Sequence, residues 1–145
     1  MSAVHILQVK THNDGSFVFD RQGELAFVAE IHDAHGDLAD FAAWQPERPG
    51  QWWLRHGDIA VLGGHALAVA SYHGDSIRLC GTPQDWFRTH RRGACVLLWG
   101  APLDELFDGV DSIECDSPDL QNRIETALRR WEPSITVQRE ARHAA

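Results

Sequence analysis

The sequence predicts an α/β or α+β fold in which β-rich N-terminal hairpins precede strand–helix units, which form a small mixed sheet with helices packed on it. Three observations carry this reading. The N-terminal third holds short apolar runs separated by the turn signals Thr11-His12-Asn13-Asp14-Gly15, Arg21-Gln22-Gly23 and Asp33-Ala34-His35-Gly36. From Ser76 onward, short apolar runs alternate with stretches of helical spacing. Three junctions also rhyme: Cys80-Gly81-Thr82-Pro83, Trp99-Gly100-Ala101-Pro102 and Cys115-Asp116-Ser117-Pro118. Each runs from the end of a strand through Gly or Asp and a small residue to proline. Proline suits the first helical position because its missing N–H would be unpaired there and its φ is already helical.

Taken in order, residues 4–9 alternate weakly, 16–20 form a short strand and 25–31 a longer one. The loop ending in Gly36 turns the chain back into 38–44, which reads as the returning strand. The same segment has helical spacing at Leu38, Phe41, Ala42 and Gln45, with Asp37 as a cap, so a helix is the competing reading. Two prolines and a glycine in 45–50 mark an exposed loop or boundary. Residues 51–55 and 58–62 follow, and 65–72 reads as a short helix ended by Gly74. Beyond it, strands are expected at 77–80, 94–99, 110–115 and 135–138, with helices at 83–92, 102–107 and 118–131. Thr82 and Ser117 are good N-caps, Ala101 is a poor one, and Thr82 with Asp85 approximates a capping box. In the last helix, Leu120, Ile124, Ala127, Leu128 and Trp131 form one apolar stripe. The chain reads as one domain over 1–145, with a β-rich part at 1–45, an α/β part at 51–138 and a frayed tail at 139–145.

Composition bounds the function. The apolar fraction of 43% and six tryptophans suit a packed core. No apolar run approaches the ~18–20 residues of a membrane span, and the N-terminus lacks the basic and apolar regions of a signal peptide. Cytoplasmic residence without membrane contact is therefore the expectation. A net charge of −8 and a single lysine, Lys10, argue against non-specific nucleic-acid binding, which needs cations to neutralise phosphates. No Lys or Arg lies between Arg92 and Arg123, whereas Asp104, Glu105, Asp108, Asp111, Glu114, Asp116 and Asp119 all do. Such a run is either a solvated face or a surface that meets a basic partner. Cys80, Cys95 and Cys115 form no C-x-x-C pair and read as buried, reduced thiols. Cys115 stands just before a helix start, where a thiolate would be stabilised.

The candidate chemistry is sparse. In an open α/β sheet, ligands bind beyond the carboxyl ends of the strands, which here carry Gly81, Thr82, Gly100, Asp116 and Ser117. Helix N-termini at that edge would suit an anion, but no phosphate-loop or dinucleotide-binding motif is present. The aspartates would repel a phosphate, so capping is the plainer role for these residues. His32 and His35 flank Asp33, and His12 stands near Asp14, all in turns. Spacing alone shows no convergent ligand set, so neither a metal nor another cofactor is expected. Arg88, His90, Arg91 and Arg92 form a basic cluster that complements a helix C-terminus. Trp52 and Trp53 must face opposite sides of a strand. Both are core residues only if the strand is covered on its two sides; otherwise Trp52, beside Arg48 and Arg55, is a candidate partner contact.

The run Trp44-Gln45-Pro46, Trp52-Trp53-Leu54-Arg55 with Gly57, Leu62-Gly63, and Arg78-Leu79 followed by Thr82-Pro83 and Trp86 resembles small uncharacterised proteobacterial proteins encoded near mobile-element replication genes. The resemblance covers under half of the chain and implies a bacterial or mobile-element origin, with no activity to transfer. Together these features predict a non-enzymatic accessory or interaction protein that meets a basic protein partner through Asp104, Glu105 and Asp108, with Trp52 as a further contact. The alternative is a small enzyme or nucleotide-binding module with its site at Thr82, Gly100, Asp116 and Ser117.

Overall fold

The computed structural model describes residues 4–129. The strand expected over 135–138, Trp131 and the tail 139–145 lie outside them. Within them the fold is α+β, built from two sheets and four helices.

The first sheet comprises β1 (Val4–Thr11), β2 (Phe17–Phe19), β3 (Glu24–His32), β4 (Leu38–Trp44) and β5 (Trp52–Leu54). All pairings are antiparallel, in the order β2-β1-β3-β4-β5. Three of its turns are made by aspartates whose carboxylates accept backbone N–H groups, Asp20 from Gln22 at 2.9 Å among them. Asp14 accepts from Ser16 at 2.9 Å, and Asp33 from His35 at 2.9 Å and Asp37 at 3.0 Å. The segment 38–44 is a strand, which settles the choice left open by its spacing. The sheet curls until the Leu54 N–H donates to the Gly15 carbonyl at 2.9 Å, bringing the start of β2 to the far edge. Val9, Phe17, Ala26, Val28 and Ala43 fill one face of the curl.

The second sheet is mixed. β6 (Val61–Leu62) is followed by α1 (Gly64–His73), β7 (Ile77–Cys80), α2 (Pro83–Arg88), β8 (Ala94–Val96), α3 (Leu103–Leu106), β9 (Ile113–Cys115) and α4 (Pro118–Arg129). The strand order is β6-β8-β7-β9, with β7 parallel to both β8 and β9 and β6 antiparallel to β8. The chain therefore steps from β7 to β8 on one side and then crosses back over β7 to β9. That long return removes the difficulty of so short a helix as α3 linking neighbouring parallel strands. Leu67 and Ala70 of α1, Leu103 of α3, and Leu120, Ile124 and Ala127 of α4 bury one face of this sheet with Leu79, Val96 and Phe107. On the other face, Leu62, Cys80, Cys95 and Trp86 of α2 meet Ala29, Ile31, Ala42, Trp44 and Leu54 of the first sheet. One sheet face thus serves each half of the molecule, and a shared core lies between them.

The junction pattern holds at two of its three places. Pro83 and Pro118 open their helices, with the Thr82 hydroxyl accepting the Asp85 N–H at 3.1 Å and the Ser117 hydroxyl the Leu120 N–H at 3.2 Å. Pro102 instead precedes α3 as its cap residue, with non-helical ψ of 77°. It stabilises that single turn through its carbonyl, which accepts from the N–H groups of Glu105 at 3.2 Å and Leu106 at 3.4 Å. The helix expected over 83–92 stops at Arg88, because His90 and Arg91 take positive φ of 58° and 62°. Of the basic cluster, Arg88 therefore ends the helix, as expected, while His90, Arg91 and Arg92 belong to the tight turn that follows it. Gly93 (φ 77°) completes that turn, and a Cβ there would collide with the Arg78 carbonyl of β7, so glycine is required. No helix among the described residues is long and apolar enough to cross a membrane.

Candidate functional site

The crevice between β7 and β9 is where the chain's connections diverge, the position at which open sheets of this kind bind ligands. It gathers Thr82, Asp116 and Ser117, and its polar groups already serve the protein itself. The Asp116 carboxylate accepts the Gly81 N–H at 3.3 Å, tying the two strand ends together. The Thr82 and Ser117 hydroxyls are committed to their helix caps. An incoming anion would face the Asp116 charge.

Gly100 lies elsewhere, in the turn after β8. It lines an open cavity of about 620 Å³ together with Trp52, Trp99 and Arg123. The structure thus brings together two residues that the sequence assigned to separate sites. The Arg123 guanidinium stacks 4.3 Å from the centre of the Trp99 ring. Trp52 packs on the core between the sheets, and its indole N–H donates to the Leu97 carbonyl at 3.1 Å. Trp53 packs into the curl of the first sheet. Both tryptophans are half-buried: each packs against a core on its own side of the strand, and Trp52 keeps part of its surface on the cavity.

The acidic candidates are divided by α3. Asp104 of α3 and Asp108, just beyond its end, line an open groove of about 760 Å³ between β9 and α4. Asp111, Glu114 and Glu125 line the same groove, while Phe107, Ile113, Ile124 and Leu128 supply apolar surface. None of its described lining residues is Lys or Arg. One oxygen of Asp104, Oδ1, is buried without a hydrogen-bond partner among the described residues. Arg129 reaches Glu125 at 3.9 Å, but both side chains are exposed and such a pair is weak. Glu105 faces a different cavity, beside α1.

The turn histidines have local roles. His32 lies 3.8 Å from Glu30, and Asp33 is occupied by the N–H groups of its own turn, which hold its carboxyl below the ordinary carboxylate value. Among the described residues, no three or more His, Cys, Asp or Glu side chains are grouped to hold a metal.

Cys80 and Cys95 are buried and Cys115 is half-buried. The helix start expected to stabilise a Cys115 thiolate is outweighed. Burial raises the thiol above its ordinary value, and the Asp116 and Glu125 carboxylates raise it further. A disulfide-exchange reagent added to the folded protein is accordingly expected to modify Cys115 alone, and more slowly than a free thiol at neutral pH. Cys80 and Cys95, whose thiols burial also pushes up, react only after denaturation. Mass spectrometry of the labelled peptides checks this; early labelling of Cys95 would show that the inter-sheet core opens readily.

Asp40 escaped the sequence reading. It is 1% exposed, and its carboxylate accepts three backbone N–H groups: Phe41 at 2.7 Å, His56 at 2.8 Å and Gly57 at 2.8 Å. The signal was an aspartate inside the otherwise apolar strand Leu38–Trp44.

No family model matches the chain, and no curated protein or solved structure matches it.

Proposed function

We infer that this chain is a cytoplasmic, non-enzymatic accessory protein, of bacterial or mobile-element origin, that binds a basic segment of a protein partner in the groove between α3, β9 and α4. One observation carries the reading: Asp104, Asp108, Asp111, Glu114 and Glu125 converge on a single groove that has apolar surface and no Lys or Arg among its described lining residues. Like charges gathered in a concave, partly apolar setting focus the field and speed the encounter with a cation. The apolar patches then offer contacts that retain the partner once it has docked. A ligand site at the β7–β9 crevice has weaker support, since Thr82, Asp116 and Ser117 are engaged as caps and a strand tie.

Charge reversal tests this reading. Asp108, Asp111 and Glu114 are exposed, so changing all three to Lys leaves the core intact. Stopped-flow binding of a fluorescent arginine-rich peptide should show an association rate lower by roughly tenfold or more, with dissociation little changed. Salt added to the parent should reproduce part of the defect, since the Debye length is near ~10 Å at ~0.1 M. Glu47→Lys, on the exposed loop before β5, is the control. An equal loss in that control would reduce the effect to net charge and remove the groove from the account.

A further inference from the structure

The geometry points to a second binding site, independent of the acidic groove: the cavity between α1, α3 and the loop joining β3 to β4 takes a small organic cation with a hydrocarbon body. The cavity holds about 460 Å³, within the range of sites for small ligands. Its interior is aliphatic, formed by Ile59, Val61, Leu67, Leu98 and Leu106. Its acidic lining residues are Asp33, Asp58 and Glu105; Lys and Arg are absent from the described lining, and the one basic side chain there, His32, lies 3.8 Å from Glu30.

These three carboxylates come from separate parts of the chain: the β3–β4 loop, the segment before β6, and α3. Such an arrangement is not one local acidic run. The loop that forms one wall is held in place from both sides. Asp33 Oδ1 accepts its own turn's N–H groups, and the Ala34 carbonyl lies 3.3 Å from His65 Nδ1 of α1. With one of its oxygens engaged this way, Asp33 contributes mainly field, while Asp58 and Glu105 remain to receive ammonium protons. A neutral apolar guest would gain the aliphatic contacts alone, and an anion would meet three like charges. An ammonium on a compact hydrocarbon satisfies both parts of the cavity.

Three probes sharing one body decide the matter: cyclohexylmethylammonium, cyclohexylmethanol and cyclohexanecarboxylate. Each is titrated into the full, isotope-labelled chain and followed by amide chemical shifts. The ammonium is expected to bind with a dissociation constant of roughly a millimolar or tighter, at least about tenfold more tightly than the alcohol, with no binding of the carboxylate. The shifted amides should be those of Ala34, Ala60, Leu67 and Leu106. Asp58→Asn with Glu105→Gln should bring the ammonium down to the level of the alcohol. Ala68→Trp, a change at an exposed lining position, should abolish binding of both. Equal affinity for all three probes, no binding of the ammonium, or shifts confined to residues 104–115 and 121–128 would each overturn the proposal. Because the Asp108, Asp111 and Glu114 variant leaves this cavity untouched, it should bind the ammonium as the parent does, which separates failure here from failure of the acidic groove.

Discussion

Trp44→Ala is expected to lower the unfolding free energy by about 3–5 kcal/mol. Trp44 is 1% exposed and stands where the two halves meet. Its ring stacks on Phe87 of α2 with centroids 5.8 Å apart and planes at 15°, and meets Phe27 of β3 edge-on at 6.0 Å. The indole N–H donates to the Gln84 side chain at 3.3 Å. Removing the ring deletes contacts to β3 and to α2 at once and opens a cavity that neighbours on two rigid elements cannot close. Urea denaturation followed by circular dichroism measures the change. A loss under ~1 kcal/mol with an unchanged denaturant slope would mean that the halves do not depend on this contact.

Asp40→Ala should cost on the order of 3 kcal/mol, through a different mechanism. The carboxylate is the only described acceptor for the N–H groups of His56 and Gly57, and without it they lose their partner in a half-exposed turn. A hydrogen bond to a charged acceptor contributes about 1.5–3 kcal/mol, and water reaching the half-exposed turn recovers part of each loss, so the total stays near that of one or two such bonds. Asp40→Asn retains one acceptor oxygen, enough for Phe41 and His56 but not for Gly57, and should lose about half as much. Denaturation midpoints of the two variants separate the explanations. If alanine and asparagine cost the same, the negative charge rather than the number of acceptors holds the turn.

The parts of the fold that were readable in the sequence are those decided locally. Thr82-Pro83 and Ser117-Pro118 announce their helices because the cap and the proline act within one turn. Asp14, Asp33 and the glycines at 15 and 36 mark hairpins for the same reason. What was hidden depends on partners distant in the chain or on the fold as a whole. The early end of α2 follows from the way Trp86 is seated: its indole N–H donates to the Gly93 carbonyl at 3.1 Å and its own carbonyl receives the Arg91 N–H at 2.9 Å, which draws residues 89–93 into a turn. The curl of the first sheet rests on the bond between Leu54 and Gly15, and no local pattern encodes it.

For the candidate site, the sequence showed an acidic span but not its division. The separation of Glu105 from Asp104 was implicit in helical geometry, since adjacent positions do not share a face, whereas Asp108 lies beyond the end of α3. That inference needed α3 to be a helix, and a single turn without a side-chain cap announces itself poorly. The pairing of Trp52 with Gly100 needed the contact between β5 and the end of β8. Both lie beyond what spacing along the chain conveys.

Whether the groove between α3, β9 and α4 is the place where a basic segment binds can be measured directly. The isotope-labelled full chain is titrated with an arginine-rich peptide at low salt, and each amide is followed. The account predicts shifts concentrated in residues 104–115 and 121–128, reversed when salt is raised to about 0.5 M and absent when Asp108, Asp111 and Glu114 are Lys. Shifts scattered over every acidic position, with Asp14, Glu24 and Glu47 moving as far as Asp108, would contradict it.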